Sequence, residues 1–212
     1  VEQMKNLIGI SGKIGSGKDT VAAMIQELYP QYEVKKFAGK LKDIASILTG
    51  IPVEKFEDQE FKKTDLGKEW SYVYPDEYYD DGESVMVCMS VRQLLQKLGT
   101  DALRDNLHEN VWVNALMADY VEKPVNVLEG EGYRLEDTLP NWIITDTRFP
   151  NEAKIIEEKG GILLRVERST CNLGTHPSET ALDDFPFEHV IFNNGSMDDL
   201  RNEVKKFLES VS

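Results

Sequence analysis

The chain has 212 residues, 41% of them hydrophobic and 9% aromatic, which is enough apolar material for a packed core and excludes a largely disordered chain. Its 38 acidic and 24 basic residues leave a formal charge of −14, half of it between Glu54 and Glu83. That balance argues against a surface for nucleic-acid polymers, yet it allows a small phosphorylated ligand held by a few local cations.

The length suits one domain with a mobile sub-region. No run is long enough to cross a membrane, so a soluble, cytoplasmic protein with no membrane partner is expected. Cys88 and Cys171 stand far apart in no metal-ligand spacing and read as two free thiols.

In chain order, Asn6 to Ser11 is a short apolar run of strand type that ends in glycine-rich sequence. Gly17 to Tyr29 reads as a helix, with Val21, Met24, Ile25 and Leu28 at helical spacing and Pro30 as its stop. Glu33 to Phe37 is a second strand, and Ala38 to Leu48 a helix closed by Gly50. Pro52 to Val87 is acidic and rich in tyrosine, and reads as an excursion from the core with hairpin character. Ser90 to Asn106 predicts a helix, because Ser90 and Gln93 have capping-box spacing and Val91, Leu94, Leu95 and Leu98 mark one face. Glu109 to Val121 predicts another helix, and Glu129 to Pro140 a surface loop. Asn141 to Thr145 is a buried strand, Pro150 to Lys159 a helix and Gly161 to Val166 a strand. Ser169 to Pro186 reads as a loop, His189 to Phe192 as a last strand, and Ser196 to Val211 as a terminal amphipathic helix. Strands alternating with helices point to a parallel sheet covered on both faces.

Gly12-Lys13-Ile14-Gly15-Ser16-Gly17-Lys18 fits the phosphate-loop pattern, and it lies where that motif must, between a strand and a helix. Glycines let backbone N–H groups curl around phosphate oxygens, and the following helix aims its positive dipole end at them. Lys18 can bridge the β- and γ-phosphates of a nucleoside triphosphate. The next residue is Asp19, then Thr20, where the pattern asks for Ser or Thr as a Mg²⁺ ligand. A carboxylate is also a hard oxygen ligand, so Asp19 suits either a metal role or simple charging of the first helical turn.

Asp146, at the end of the strand Trp142 to Thr145, sits where parallel-sheet sites are built, and Arg148 can grip a phosphate bidentately. Both also suit a bland reading as helix cap and surface arginine. No glutamate follows Asp146 to polarise a water, and no Asn-Lys-x-Asp guanine-recognition sequence is present, which together favour a kinase over a motor ATPase or a GTPase.

These residues resemble the phage-type deoxynucleoside monophosphate kinases, within the broader nucleoside-monophosphate-kinase-like group. The marks are Gly17-Lys18-Asp19-Thr20, Phe37-Ala38, Arg92-Gln93-Leu94-Leu95-Gln96 leading to Gly99-Thr100-Asp101, Trp112, Asp146-Thr147-Arg148-Phe149-Pro150-Asn151-Glu152 and His176-Pro177-Ser178-Glu179. The resemblance runs through most of the chain, weakest over Glu54–Val87 and Glu122–Asn141. It implies an α/β, three-layer α/β/α P-loop fold with a central parallel sheet. The core would span about 1–50 and 141–212, an acceptor-binding region about 51–125 and a mobile lid about 168–186.

The implied reaction moves the γ-phosphoryl of ATP, with Mg²⁺, onto a deoxynucleoside monophosphate. ATP would be held by Gly12, Lys13, Gly15, Ser16, Gly17, Lys18, Asp19 and Thr20. The segment at Asn194 would receive adenine, or else form only a β-turn and helix entry. The monophosphate would meet Phe37, Ala38, Arg92, Gln93, Gln96, Gly99, Thr100, Trp112, Asp146, Arg148 and Glu152. Arg92 and Gln96 lie one helical turn apart, as a phosphate clamp needs, and Trp112 offers a flat surface to a base. Asp19 and Asp146 would hold the metal, and Lys18, Arg92, Arg148 and the lid residue Arg168 would neutralise charge. His176 and Glu179 would fix the closed lid. Exposed aromatics in the tyrosine-rich excursion would suit a homodimer interface. The rival readings are a kinase for another phosphorylated metabolite, such as dephospho-coenzyme A or phosphomevalonate, and a non-kinase protein gated by ATP.

Overall fold

The computed structural model describes residues 5–73, 86–129, 132–170 and 180–211. The chain divides into two compact units, one of Val1–Phe37 with Val113–Ser212 and the other of Ala38–Trp112.

The first unit is built on a five-stranded parallel sheet ordered β2-β7-β1-β8-β9, from β1 (Leu7–Ser11), β2 (Glu33–Lys35), β7 (Trp142–Ile144), β8 (Ile162–Glu167) and β9 (His189–Phe192). β1 is buried along its whole length because it pairs with β7 on one side and β8 on the other, with helices on both faces. On one face Ile8, Ile10, Ile143, Leu164 and Val166 pack against Val21, Met24 and Ile25 of α1 (Lys18–Leu28) and Leu200, Val204 and Phe207 of α6 (Met197–Ser210). On the other lies α5 (Pro150–Glu158), which buries Ala153 and Ile156. Gly9 faces that helix, and a Cβ there would collide with the Ile156 side chain, so its bare backbone sets how closely α5 approaches. The expected three-layer α/β/α architecture with a central parallel sheet is thus realised. No helix among the described residues is long and apolar enough to span a membrane.

One expected loop is corrected. Glu129 to Pro140 contains a strand, β6 (Gly132–Thr138), which pairs in register with β5 (Lys123–Glu129) as an antiparallel hairpin from Lys123↔Thr138 to Glu129↔Gly132. The signal was present as two apolar-containing runs, Val125 to Leu128 and Tyr133 to Leu135, around the sequence Gly-Glu-Gly. Arg134 inside the second run, and Glu136 and Asp137 directly after it, disguised the strand, because a hairpin outside the core sheet need not carry a continuous apolar face.

In the second unit, α2 (Gly39–Thr49) ends at Gly50, whose φ of 71° is the left-handed cap glycine provides. Ala45 of α2 packs with Phe56, Val91 and Leu94, which places this helix in the second unit although the sub-region was expected to begin near residue 51. Short 3₁₀ turns fill much of 53–70, and β3 (Tyr72–Val73) pairs antiparallel with β4 (Met86–Val87). The expected hairpin is realised to that extent; Tyr74, Tyr78 and Tyr79 lie outside the described residues. α3 (Val91–Gln96) starts from the predicted capping box. The helix expected to run on to Asn106 changes instead to a π-helical stretch over Lys97–Arg104. Gly99, a weak helix former, lies within it pressed against Leu41, where a Cβ would come within 2.7 Å of the leucine Cδ2. The helix expected over Glu109 to Val121 is shorter, as α4 (Val111–Met117).

Tyr32 is buried in the first unit and donates its hydroxyl to the Lys5 carbonyl at 2.6 Å. Burial, with the neighbouring Tyr120 and Tyr29 adding to it, pushes this phenol up from 10.0 to about 12. The unfolded chain ionises first, so the stability Tyr32 supplies is complete below pH 10 and lost as pH rises towards 12. For a shift of this size the loss is about 2–3 kcal/mol. Urea unfolding of the wild type across that range should show it, and Tyr32→Phe should flatten the pH dependence by the same amount.

Candidate active site

The chain leaves β1 at Ser11 and must turn sharply to enter α1 at Lys18. Three glycines make the turn, at φ values of 153° for Gly12, 82° for Gly15 and 99° for Gly17, all in the range that favours glycine. Two of them also lack room for a side chain. A Cβ on Gly12 would strike the Val166 carbonyl and lie 2.6 Å from Ser16 Oγ, and one on Gly17 would strike the Asn193 carboxamide. The loop is closed by Ser16 N–H donating to the Lys13 carbonyl at 3.1 Å. Lys18 folds back over it, Nζ donating to the carbonyls of Gly12 at 2.6 Å and Lys13 at 3.0 Å. Its ammonium therefore sits over the loop, at the positive end of α1.

Asn193, just beyond β9, braces this loop. Its Nδ2 donates to the Ser16 carbonyl at 2.8 Å while its own N–H donates to the Glu167 carbonyl at 2.7 Å. Sequence reasoning named its neighbour Asn194, whose Oδ1 accepts from Ser169 N–H at 2.7 Å and so ties the end of β8 to that of β9. Asn194, Lys13, Ser16, Arg168 and the exposed ring of Phe192 line a cleft of about 460 Å³ beside the loop. A smaller hollow of about 240 Å³ between β9 and α6 holds none of the predicted site residues.

Asp19 stands exposed in the first turn of α1, 4.0 Å from Lys36 Nζ. Among the described residues no group of three or more His, Cys, Asp or Glu gathers at ligand distance. Asp19 and Asp146 therefore do not make a protein cage. Two carboxylates are a donor set that Mg²⁺ accepts, since this ion keeps several waters and takes one or two carboxylates. Asp146 Oδ1 accepts from Phe37 N–H at 2.7 Å, joining the end of β7 to the chain after β2. Its two neighbours, Thr145 and Thr147, have buried hydroxyls with no hydrogen-bond partner among the described residues, as does Ser16 in the loop.

Glu152, only 5% exposed, turns its carboxylate back over the start of α5, accepting from the N–H groups of Arg148 at 2.7 Å and Phe149 at 3.0 Å. It fixes the backbone that carries the Arg148 side chain. Arg165 stands on β8. It is buried, with Nη1 donating to Ser11 Oγ at 3.1 Å and Nη2 to Asp183 Oδ1 at 3.0 Å. Within the expected lid, Leu182 is buried and Asp183 is ion-paired, whereas His176 and Glu179 lie outside the described residues.

The second unit groups the other predicted residues on α3 and the π-helical stretch. Arg92 and Gln96 are exposed, and Arg92 Nη2 reaches Gln59 Oε1 at 3.3 Å. Gln93 is partly committed elsewhere, its Oε1 accepting from Ser90 N–H at 2.8 Å in the capping box. Trp112 does not offer an open ring face: it is 8% exposed, and its Nε1 donates to the Gly99 carbonyl at 2.9 Å. Ala38 caps α2, and Thr100 uses its carbonyl to hold Asp105 N–H at 2.9 Å.

The deoxynucleotide monophosphate kinase family model matches residues 59–204. The chain belongs to that family. It is 26% identical to the deoxynucleoside-5'-monophosphate kinase of Escherichia phage T5 over 256 aligned positions, covering 97% of each chain. It is 31% identical to the deoxynucleotide monophosphate kinase of Enterobacteria phage T4 over 121 residues, 57% of this chain and 46% of that one. A further relative is the deoxynucleotide monophosphate kinase of Escherichia phage RB69, 27% identical over 120 residues. The phosphate loop precedes the span matched by the family model, so the support for the loop is its own geometry and the near full-length similarity to the T5 enzyme.

Removing the Glu152 carboxylate would leave two amide donors unmatched at the start of α5. Glu152→Ala should lower stability by about 2 kcal/mol in urea unfolding. A loss near zero would show that this carboxylate does not hold the Asp146–Phe149 turn.

Proposed function

We propose that the protein transfers the γ-phosphoryl group of ATP to the 5'-phosphate of a deoxynucleoside monophosphate, giving ADP and the deoxynucleoside diphosphate. The observation that carries this reading is the glycine-walled loop between β1 and α1, with Lys18 folded over it, in a chain of the deoxynucleotide monophosphate kinase family. An acceptor phosphate oxygen attacks the γ-phosphorus in line, and the bond to the bridging oxygen breaks with its electron pair leaving on ADP. No covalent enzyme intermediate is needed, so catalysis rests on positioning and charge neutralisation.

In this reading the loop amides and Lys18 hold the donor phosphates. Arg168 and Asn194, in the cleft beside the loop, serve the rest of the donor. Asp19 and Asp146 would hold Mg²⁺ together with the phosphates, and the ion would supply charge neutralisation at the transferring group. Arg92, exposed on α3, would clamp the acceptor phosphate with Gln96 one turn away, and Arg148, in the first unit, would neutralise charge on the transferring group. Trp112 and Gly99 would act by shaping the wall on which that clamp stands, since the tryptophan ring is buried and tied to the glycine carbonyl.

Lys18→Ala should cut kcat by about a thousandfold or more while the circular dichroism spectrum stays that of the wild type. Turnover near wild type would refute the phosphate-cradle role. Arg92→Ala should raise the KM for the monophosphate at least about tenfold and leave that for ATP within about twofold; equal rises would remove Arg92 from the acceptor site. The decisive assay follows ADP release against all four deoxynucleoside monophosphates and their ribose counterparts. ADP release indifferent to every monophosphate would sink the proposed reaction.

A further inference from the structure

Asp183 belongs to no motif of the sequence, yet it joins two cations at the phosphate loop. Its Oδ2 accepts from Lys13 Nζ at 3.0 Å and its Oδ1 from Arg165 Nη2 at 3.0 Å. Arg165 is buried, so its charge must be matched where it stands. Ser11 Oγ accepts from Nη1, Glu167 lies 3.8 Å from Nε, and the Phe187 ring lies 5.6 Å from the guanidinium carbon, but the carboxylate nearest to Arg165 is that of Asp183. Leu182 is buried beside it and Phe185 packs on Phe187, so the carboxylate is carried on an anchored turn. The second oxygen then falls to Lys13, the residue after the first glycine of the loop, whose side chain is only 18% exposed on the wall of the donor cleft.

We propose that Asp183 is a positioning residue of the donor site: anchored by Arg165, it holds the Lys13 ammonium in place on the wall of the phosphate cleft, ready for the anionic tail of a nucleoside triphosphate. A lysine on a flexible four-carbon stem loses much rotamer freedom when it binds a phosphate, and one already tethered loses less. The tether also links the loop to the turn at 180–187, so the phosphate cradle and that turn are held as one body. The inference rests on the phosphotransfer reading only in naming the ligand, because the tether concerns ATP binding and not transfer.

The test is titration of a non-hydrolysable ATP analogue by calorimetry, with KM values for both substrates measured alongside. Asp183→Asn should weaken binding of the analogue about five- to tenfold, while the KM for the monophosphate stays within about twofold of wild type. Asp183→Glu, which keeps the charge, should recover most of that loss. In a Lys13→Met background, Asp183→Asn should have little further effect on affinity. If Asp183→Asn does not fold, Arg165→Gln combined with Asp183→Asn removes the buried charge together with its partner and carries the same expectation. A purely structural role would lower the melting temperature and leave the affinity of the folded protein unchanged, which would overturn the proposal. Tighter binding would overturn it too, because Asp183 would then be competing with nucleotide for Lys13. The acceptor panel can fail without touching this result, and this affinity can stay unchanged while the panel succeeds.

Discussion

The constraint on which the rest depends is steric. Between Ser11 and Lys18 the backbone must turn from a buried strand into a helix, and it does so with three glycines at positive φ. Two of these are also pressed by neighbours, Gly12 by the Val166 carbonyl at β8 and Gly17 by the Asn193 carboxamide beyond β9. The loop is therefore moulded against the ends of two strands that follow it in sequence by about 150 residues or more. A strand order that puts β8 beside β1, and β9 beside β8, supplies that backing. The order and the loop conformation are one requirement seen at two scales.

Electrostatics follow from this placement. A protein of formal charge −14 would repel a polyphosphate if its charge were spread evenly. Lys13 and Arg168 instead line the cleft beside the loop, and Lys18 lies across the loop itself. Of the charged residues lining that cleft, Lys13, Arg165 and Arg168 are cationic and Glu167 alone is acidic, while Asn194 is committed to backbone. A few cations in a sheltered concavity outweigh a larger acidic surplus elsewhere because solvent screens distant charges over roughly 8–10 Å.

Much of this was legible in the sequence where one residue's chemistry suffices. The glycine spacing, the apolar runs of β1 and β7, the capping box at Ser90 and the stop at Gly50 all act over a few residues, and each appears where its pattern put it. What was not legible depends on partners distant in sequence. Nothing local to Asp183 says that it will meet Lys13, 170 residues earlier, or Arg165. Asn193 and Asn194 are chemically alike, and only the fold decides which of them braces the phosphate loop. The β5–β6 hairpin was missed because its pattern is diluted by charge, and the change to π-helix over Lys97–Arg104 because the apolar spacing of Val91 to Leu98 fits an α-helix equally well.

A common thread joins the residues that the motif pattern marked as chemical. Asp146 accepts from a backbone amide, as do Glu152, Gln93 and Asn194. Each joins two stretches of chain that the fold must keep in register: β7 to the chain after β2, the Arg148 turn to α5, the entry of α3 to its first turn, and β8 to the segment beyond β9. A side chain that orders backbone in this way is constrained as tightly as one that touches substrate, since an amide in place of a carboxylate changes an acceptor-only group into one that must also donate. Motif letters therefore do not separate reacting groups from those that hold them. The distinction lies in where the remaining oxygens point, and for Glu152, buried with one oxygen shared between two amides, the demand is already explained before any substrate arrives.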